Sequence, residues 1–127
     1  MSPTKCLARY GRRNSGLTTE RIGTEIQIII SSRRDIIAVF GFGSFFRSQV
    51  YNDIDLLVVA APHCEKPLDA YYGFCARALE LGIRLGVLFD VTFLTSSEYN
   101  ERPLREMDCL VALAGEASLL ARLGCPI

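Results

Sequence analysis

The sequence predicts an α/β fold of the α+β kind, a small mixed β-sheet with helices packed on it. Three observations carry that expectation. The chain has 127 residues, half of them hydrophobic and 22% charged, which is enough for one compact domain with a core and too short for two. Short apolar runs rich in branched and aromatic residues alternate with segments of helical period, as they do where helices cover a sheet. No repeat, low-complexity tract or linker interrupts residues 18–123. The expected organisation is a flexible basic arm over residues 1–17 and a single domain over 18–127.

The arm carries Lys5, Arg9, Arg12 and Arg13 with no acid among them, beside Gly11, Asn14, Ser15 and Gly16. Thr18 suits the cap of a helix whose apolar positions Ile22, Ile26, Ile29 and Ile30 recur at helical spacing. Glu20 lies near the positive end of that helix's dipole, and the helix is expected to end near residues 33–35. "DIIAVFGFG", residues 35–43, reads as a strand running into a tight turn, with a few residues of helix from Ser44. "DIDLLVVA", residues 53–60, is a second strand closed by Ala61 and Pro62. Pro67 suits a first helical position, and Leu68, Tyr71, Tyr72, Cys75, Ala78 and Leu79 trace one face of the helix it opens, which Gly82 or Gly86 stops. "GVLFDVTFLT" is a third strand, with Val87, Phe89, Val91 and Phe93 on one side and Leu88, Asp90, Thr92 and Leu94 on the other. Thr95 and Glu98 have the spacing of a capping box. Pro103 is expected to open a final helix carrying Leu104, Met107, Cys109, Leu110, Val111 and Leu113.

Formal net charge is zero, so the chain as a whole makes no electrostatic case for nucleic acid or an anionic membrane. No apolar run approaches the length of a membrane span and no signal pattern opens the chain, which gives the expectation of a cytoplasmic protein. The five cysteines are odd in number and form no C-x-x-C pair, as reduced core thiols do. His63 and Cys64 have no second ligand pair at zinc-finger spacing and read as a loop.

Asp53 and Asp55 open an otherwise apolar strand. Alternation along a strand points both to one side, with Cα atoms roughly 7 Å apart. Asp90 sits in another apolar strand on its less greasy face, and an adjacent strand brings it beside the pair. Two like charges about 4 Å apart repel by roughly 4 kcal/mol at an effective dielectric of ~20, a repulsion that a divalent cation offsets. Hard oxygen donors without histidine or thiolate favour Mg²⁺ or Mn²⁺ over zinc. Upstream, Gly41 and Gly43 would let the backbone approach a ligand, Ser44 offers a hydroxyl, and a helix beginning there aims N–H groups at an anion. Phosphate and metal sites side by side are the equipment of phosphoryl or nucleotidyl transfer. Neither the third glycine of a Rossmann fingerprint nor the GK[ST] of a P-loop is present.

The run "GSFFRSQVYNDIDLLV", residues 43–58, resembles the signature of the nucleotidyltransferase superfamily that includes DNA polymerase beta. There Gly-Ser, a spacer and Asp-x-Asp are followed by a third Asp on a later strand. The short length and Arg47, three residues after the serine, are similar to the minimal nucleotidyltransferases, whose usual run is G-S-x-A-R-G followed by S-D-I-D-L. The resemblance covers roughly residues 19–120, ending in "LAGEASLL", which is similar to the family's closing helix. It implies that Gly43 and Ser44, with Arg47 beside them, bind the triphosphate. It implies that Asp53 and Asp55 bind both metals and that Asp90 completes one metal site and orients or activates the attacking hydroxyl. Phe46 replaces the family's alanine, Ser48 its following glycine and Asn52 the serine before the first Asp, and none of these removes a metal ligand.

The expected activity is Mg²⁺-dependent transfer of a nucleoside monophosphate, AMP from ATP, to an acceptor hydroxyl. The chain has no room for an acceptor-binding domain, and minimal members are often paired with a small helical HEPN protein as antitoxins. Some of them place AMP on a tyrosine of that partner, so the partner protein is the expected acceptor. The alternatives are a catalytically inactive nucleotide-binding or regulatory module of the same fold, and RNA 3′-end extension, against which the neutral body and the lack of an aromatic-basic stripe speak.

Overall fold

The computed structural model describes residues 12–13, 16–48, 50–101 and 109–115. In chain order its elements are β1 (Arg12–Arg13), α1 (Thr19–Ile30), β2 (Ile36–Phe42), α2 (Ser44–Ser48), β3 (Val50–Tyr51), β4 (Asp53–Ala60), α3 (Pro67–Leu85), β5 (Leu88–Leu94), α4 (Ser96–Asn100) and β6 (Val111–Gly115). Four strands form one mixed sheet in the order β5-β4-β2-β6, and β1 and β3 pair separately. In the main sheet β2 runs antiparallel to both β4 and β6, whereas β4 and β5 are parallel. Parallel neighbours need a long crossover, which α3 supplies.

Thr18 caps α1 as expected, its hydroxyl accepting from the Arg21 N–H at 3.0 Å, and all four predicted isoleucines are buried. The helix ends at Ser31, sooner than expected. Ser31 Oγ donates to the Ile28 carbonyl at 2.8 Å, and Arg33 then turns to Asp35, its Nη2 donating to Oδ2 at 3.1 Å. The predicted capping box is present at α4, with Thr95 and Glu98 each accepting from the other's backbone N–H. Gly86, at φ +75°, stops α3 in the left-handed conformation that glycine tolerates, while Gly82 is buried inside the helix.

Alternation sorts the strand residues into two cores. On one side Val39, Ile54, Leu56, Val58 and Ala114 pack with the α1 isoleucines and with Phe74, Ala78 and Leu81 of α3. On the other, Ala38, Phe40, Leu57 and Val59 pack with Tyr99 of α4 and Leu110. Phe40 and Tyr99 stack with ring centroids 5.5 Å apart. Among the described residues this second core occupies one end of its face.

Three expectations are corrected. The residues 111–115 placed in a final helix form β6, which pairs with the free side of β2; a short apolar run closed by a glycine satisfies either period, and the sheet edge decides. Leu104 and Met107 of that expected helix lie outside the described residues, as does the end of the segment likened to a closing helix; its Leu113–Gly115 part is strand. The inward face of α3 is Ala70, Phe74, Ala78 and Leu81, and Leu68, Tyr72 and Leu79 of the face read from sequence are exposed. The helix carries two apolar stripes, and periodicity alone does not say which one turns inward. Finally, Cys64 and Cys75 are half-buried and Cys109 is exposed, so these free thiols are not core residues.

Part of the basic arm is placed: Arg12 and Arg13 pair with Tyr51 and Val50, and Leu17 is buried. Among the described residues no helix is long and apolar enough to cross a membrane.

Candidate active site

The β4–β5 register decides where the three carboxylates lie. Asp55 and Asp90 are direct partners on parallel neighbours, and Asp53, two residues before Asp55, is the partner of Leu88. Register partners share a face, so all three stand on the side away from α1 and α3, with strands about 4.8 Å apart. They occupy the end of that face which the Phe40–Tyr99 core leaves uncovered. Asp53 and Asp55 are half-buried and Asp90 is exposed. Phe42, half-buried on β2, is the register partner of Asp55 on the other side and walls the row.

The turn after β2 reaches over the same row. Gly43 has φ +83°, a conformation that L side chains rarely adopt, and a Cβ there would collide with Asp55 Oδ2. The missing side chain thus makes the space in which the carboxylate lies against the turn. Gly41 serves differently from the ligand approach expected of it: a Cβ there would run into the ring of Phe46. Phe46 meets Phe45 edge to face at 4.9 Å, and Phe45 meets Tyr51 likewise at 4.9 Å. That aromatic group fixes α2, a single short helix of five residues. Ser44, its first residue, is half-buried beside Gly43, and Arg47 is exposed in its last turn.

Asp53 and Asp90 have no ion pair among the described residues, and the arginines of α1 and α3 pair elsewhere, as Arg21 with Glu25 at 3.2 Å and Arg77 with Glu80 at 3.5 Å. Tyr71 and Cys75, which the sequence reading placed on the α3 packing face, line a groove of about 320 Å³ with Leu88 and Asp90. The Tyr71 phenol is pushed up, chiefly by a Cys75 thiolate and the hydrogen bond to it, with Asp90 contributing least. Burial pushes the Cys75 thiol up. Both groups therefore stay protonated, and so uncharged, near neutral pH.

Among the described residues no three His, Cys, Asp or Glu side chains are already gathered around one point as ion ligands. The register nevertheless supplies three hard oxygen donors on one face, and the Gly43 hollow holds one of them against the turn. By its chemistry, hard oxygen without histidine or thiolate, that donor set is of the kind that suits Mg²⁺ or Mn²⁺.

No protein-family model matches the sequence, and no curated protein matches it. Among solved structures, a chain of the toxin-antitoxin MntA-HpeT, in a mutant form, superposes with a TM-score of 0.54 over 80% of this chain and 79% of that one. The identity is 14%, so the likeness is one of fold: a four-stranded mixed sheet with helices packed on it.

Proposed function

We propose that the chain is a divalent-cation-dependent nucleotidyltransferase that moves AMP from ATP to a hydroxyl on a partner protein. The observation that carries this reading is the row Asp53, Asp55 and Asp90 beneath the Gly43–Ser44 turn. The likeness of fold to a toxin-antitoxin chain supports a protein acceptor, and the resemblance to minimal nucleotidyltransferases points to a small helical protein of the HEPN kind.

Each residue has a distinct task. The Gly43–Ser44 turn and Arg47 hold the triphosphate, and Asp53 and Asp55, the half-buried pair, hold Mg²⁺ with Asp90. The ion would neutralise charge on the phosphates and on the carboxylates. Asp90, exposed on the outer strand, is the member that an incoming acceptor meets first. It orients the acceptor hydroxyl and takes its proton as the oxygen attacks the α-phosphorus. The bond from that phosphorus to the β-phosphate oxygen then breaks and pyrophosphate leaves.

A second reading, nucleotide binding without turnover, draws on Phe46 and Ser48, which stand where the family it resembles has alanine and glycine and so change the turn. One experiment separates the two. Purified protein is incubated with labelled ATP, Mg²⁺ and the protein that co-purifies with it or is encoded beside it, and label is followed on protein and on RNA. The expected result is label on the partner, lost by roughly a hundredfold or more in Asp90→Ala although nucleotide still binds. ATP·Mg²⁺ binding with no label on either acceptor would favour the module without turnover, and label on RNA alone would favour 3′-end extension.

A further inference from the structure

The outer surface of α3 and the edge of β5 both expose apolar side chains, and one groove is lined by residues of each. Leu68, Tyr72, Leu79 and Ile83 of α3 are 66%, 63%, 60% and 74% exposed, and Leu88 of β5 is 61% exposed. The four helical residues fall on one stripe, one edge of which adjoins the groove beside β5. Together they leave on the order of 500 Å² of apolar surface, the size of the largest patch a typical monomer shows. β5 ends the sheet and pairs only with β4 among the described residues. Its sequence, LFDVTFL, holds a single charge, so it lacks the lysines and prolines that blunt an open edge.

Both elements read alike about a two-fold axis. In β5, an antiparallel pairing centred on Val91 sets Phe89 opposite Phe93 and Leu88 opposite Leu94 of a second copy. It sets Asp90 opposite Thr92, whereas a parallel pairing in register would oppose Asp90 to Asp90. In α3, a centre between Cys75 and Ala76 sets Leu68 opposite Ile83 and Tyr72 opposite Leu79, with the two small residues at the closest approach. The two centres lie within about one helical residue, roughly 1.5 Å, of each other along α3. Tyr71 touches Phe93, with ring centroids 5.7 Å apart, and a Cβ on Gly82 would lie 3.6 Å from the Phe89 ring. The midpoint of that helical span therefore lies over Val91. One axis serves strand and helix together.

We propose that two copies of this chain pair through β5 and the outer face of α3 into a two-fold dimer. The four-stranded sheets join into one of eight strands, and the two carboxylate rows open on the same face, each Asp90 beside the other copy's Thr92. Burial of the stripe supplies the driving force, and the strand edges fix the register. The surface is spent on a second copy rather than on a different protein because the two-fold sets its apolar residues opposite apolar residues and its one charge opposite a threonine hydroxyl.

The test is sedimentation of the full chain over a range of concentrations, with hydrogen exchange on the same samples. The wild type is expected to dimerise. Leu79→Glu, at an exposed position, should keep the circular-dichroism spectrum and weaken the dimer by roughly a hundredfold or more, since each dimer then buries two unpaired carboxylates. Thr92→Lys should tighten it by roughly threefold to tenfold through two cross-strand pairs with Asp90, and Thr92→Asp should loosen it. A wild type that stays monomeric at every concentration would overturn the proposal. So would a dimer whose constant moves in the same direction, or not at all, in the two Thr92 variants. A monomer whose α3 face is protected from exchange would assign that face to the chain's own residues 116–127. A monomer recovered with another protein on that face would assign it to a heterologous partner, and either result replaces the second copy.

Discussion

On the helix-bearing side of the sheet, β4 buries Ile54, Leu56 and Val58 completely under α1 and α3. On the opposite side the same strand buries Leu57 and Val59 under Tyr99 and leaves Asp53 and Asp55 half-exposed at the other end. One strand thus serves a continuous core and a polar row because its side chains alternate, and neighbours in sequence answer to unrelated demands. Asp55 and Leu56 are the sharpest instance. Among the described residues the core on the open face stops halfway, and the candidate carboxylates stand where Tyr99 ceases to cover it.

The largest effect expected is at Asp55. Asp55→Asn should abolish Mg²⁺-dependent ATP binding and lower transfer by at least ~100-fold, measured by calorimetry and by label on the acceptor. The apo protein's melting temperature should hold or rise, because a like charge beside Asp90 is removed. A variant that melts much lower would make Asp55 a structural residue and collapse the contrast between the faces. Its neighbour should behave in the opposite way: Leu56→Ala should cost about 2–5 kcal/mol in denaturant unfolding while the folded fraction binds ATP·Mg²⁺ as before.

Ser44→Ala tests the turn, and should weaken ATP affinity by about 1–2 kcal/mol, one hydrogen bond to a charged group, with unchanged stability. Equal affinity would leave triphosphate contact to the backbone and to Arg47. The smallest effect lies at the covered end of the open face. Thr95 Oγ1 accepts from the Glu98 N–H at 3.1 Å and starts the helix that carries Tyr99 onto Phe40. Thr95→Ala should cost about 1 kcal/mol of stability and leave ATP binding alone. A loss of binding there would show that the two ends of the face are coupled.

How far the sequence could be read follows the same division. The strands 36–42, 53–60 and 88–94 and the caps at Thr18 and Thr95 were legible because alternation and capping are local signals. So were the candidate carboxylates, since an acid in an apolar strand asks for a reason. What stayed hidden depends on partners distant in sequence. Val111–Gly115 becomes a strand because β2 offers an edge, and α3 shows Leu68, Tyr72 and Leu79 to solvent because Phe74 and Leu81 fit the sheet better. The register that sets Asp55 beside Asp90 is equally non-local. Proximity could be argued from the sequence, but direct opposition could not.

The two glycines of the GFG turn carry a consequence for how this segment can vary over evolutionary time. Gly41 is fixed by Phe46 and Gly43 by Asp55, each through the space its absent side chain would fill. Position 41 should therefore co-vary with position 46, and a descendant with alanine at 46 is released to carry a side chain at 41. Position 43 has no such freedom while an acid stands at 55. Across diverging copies of this chain, the first glycine is negotiable in step with an aromatic ring, and the second is inherited together with the carboxylate.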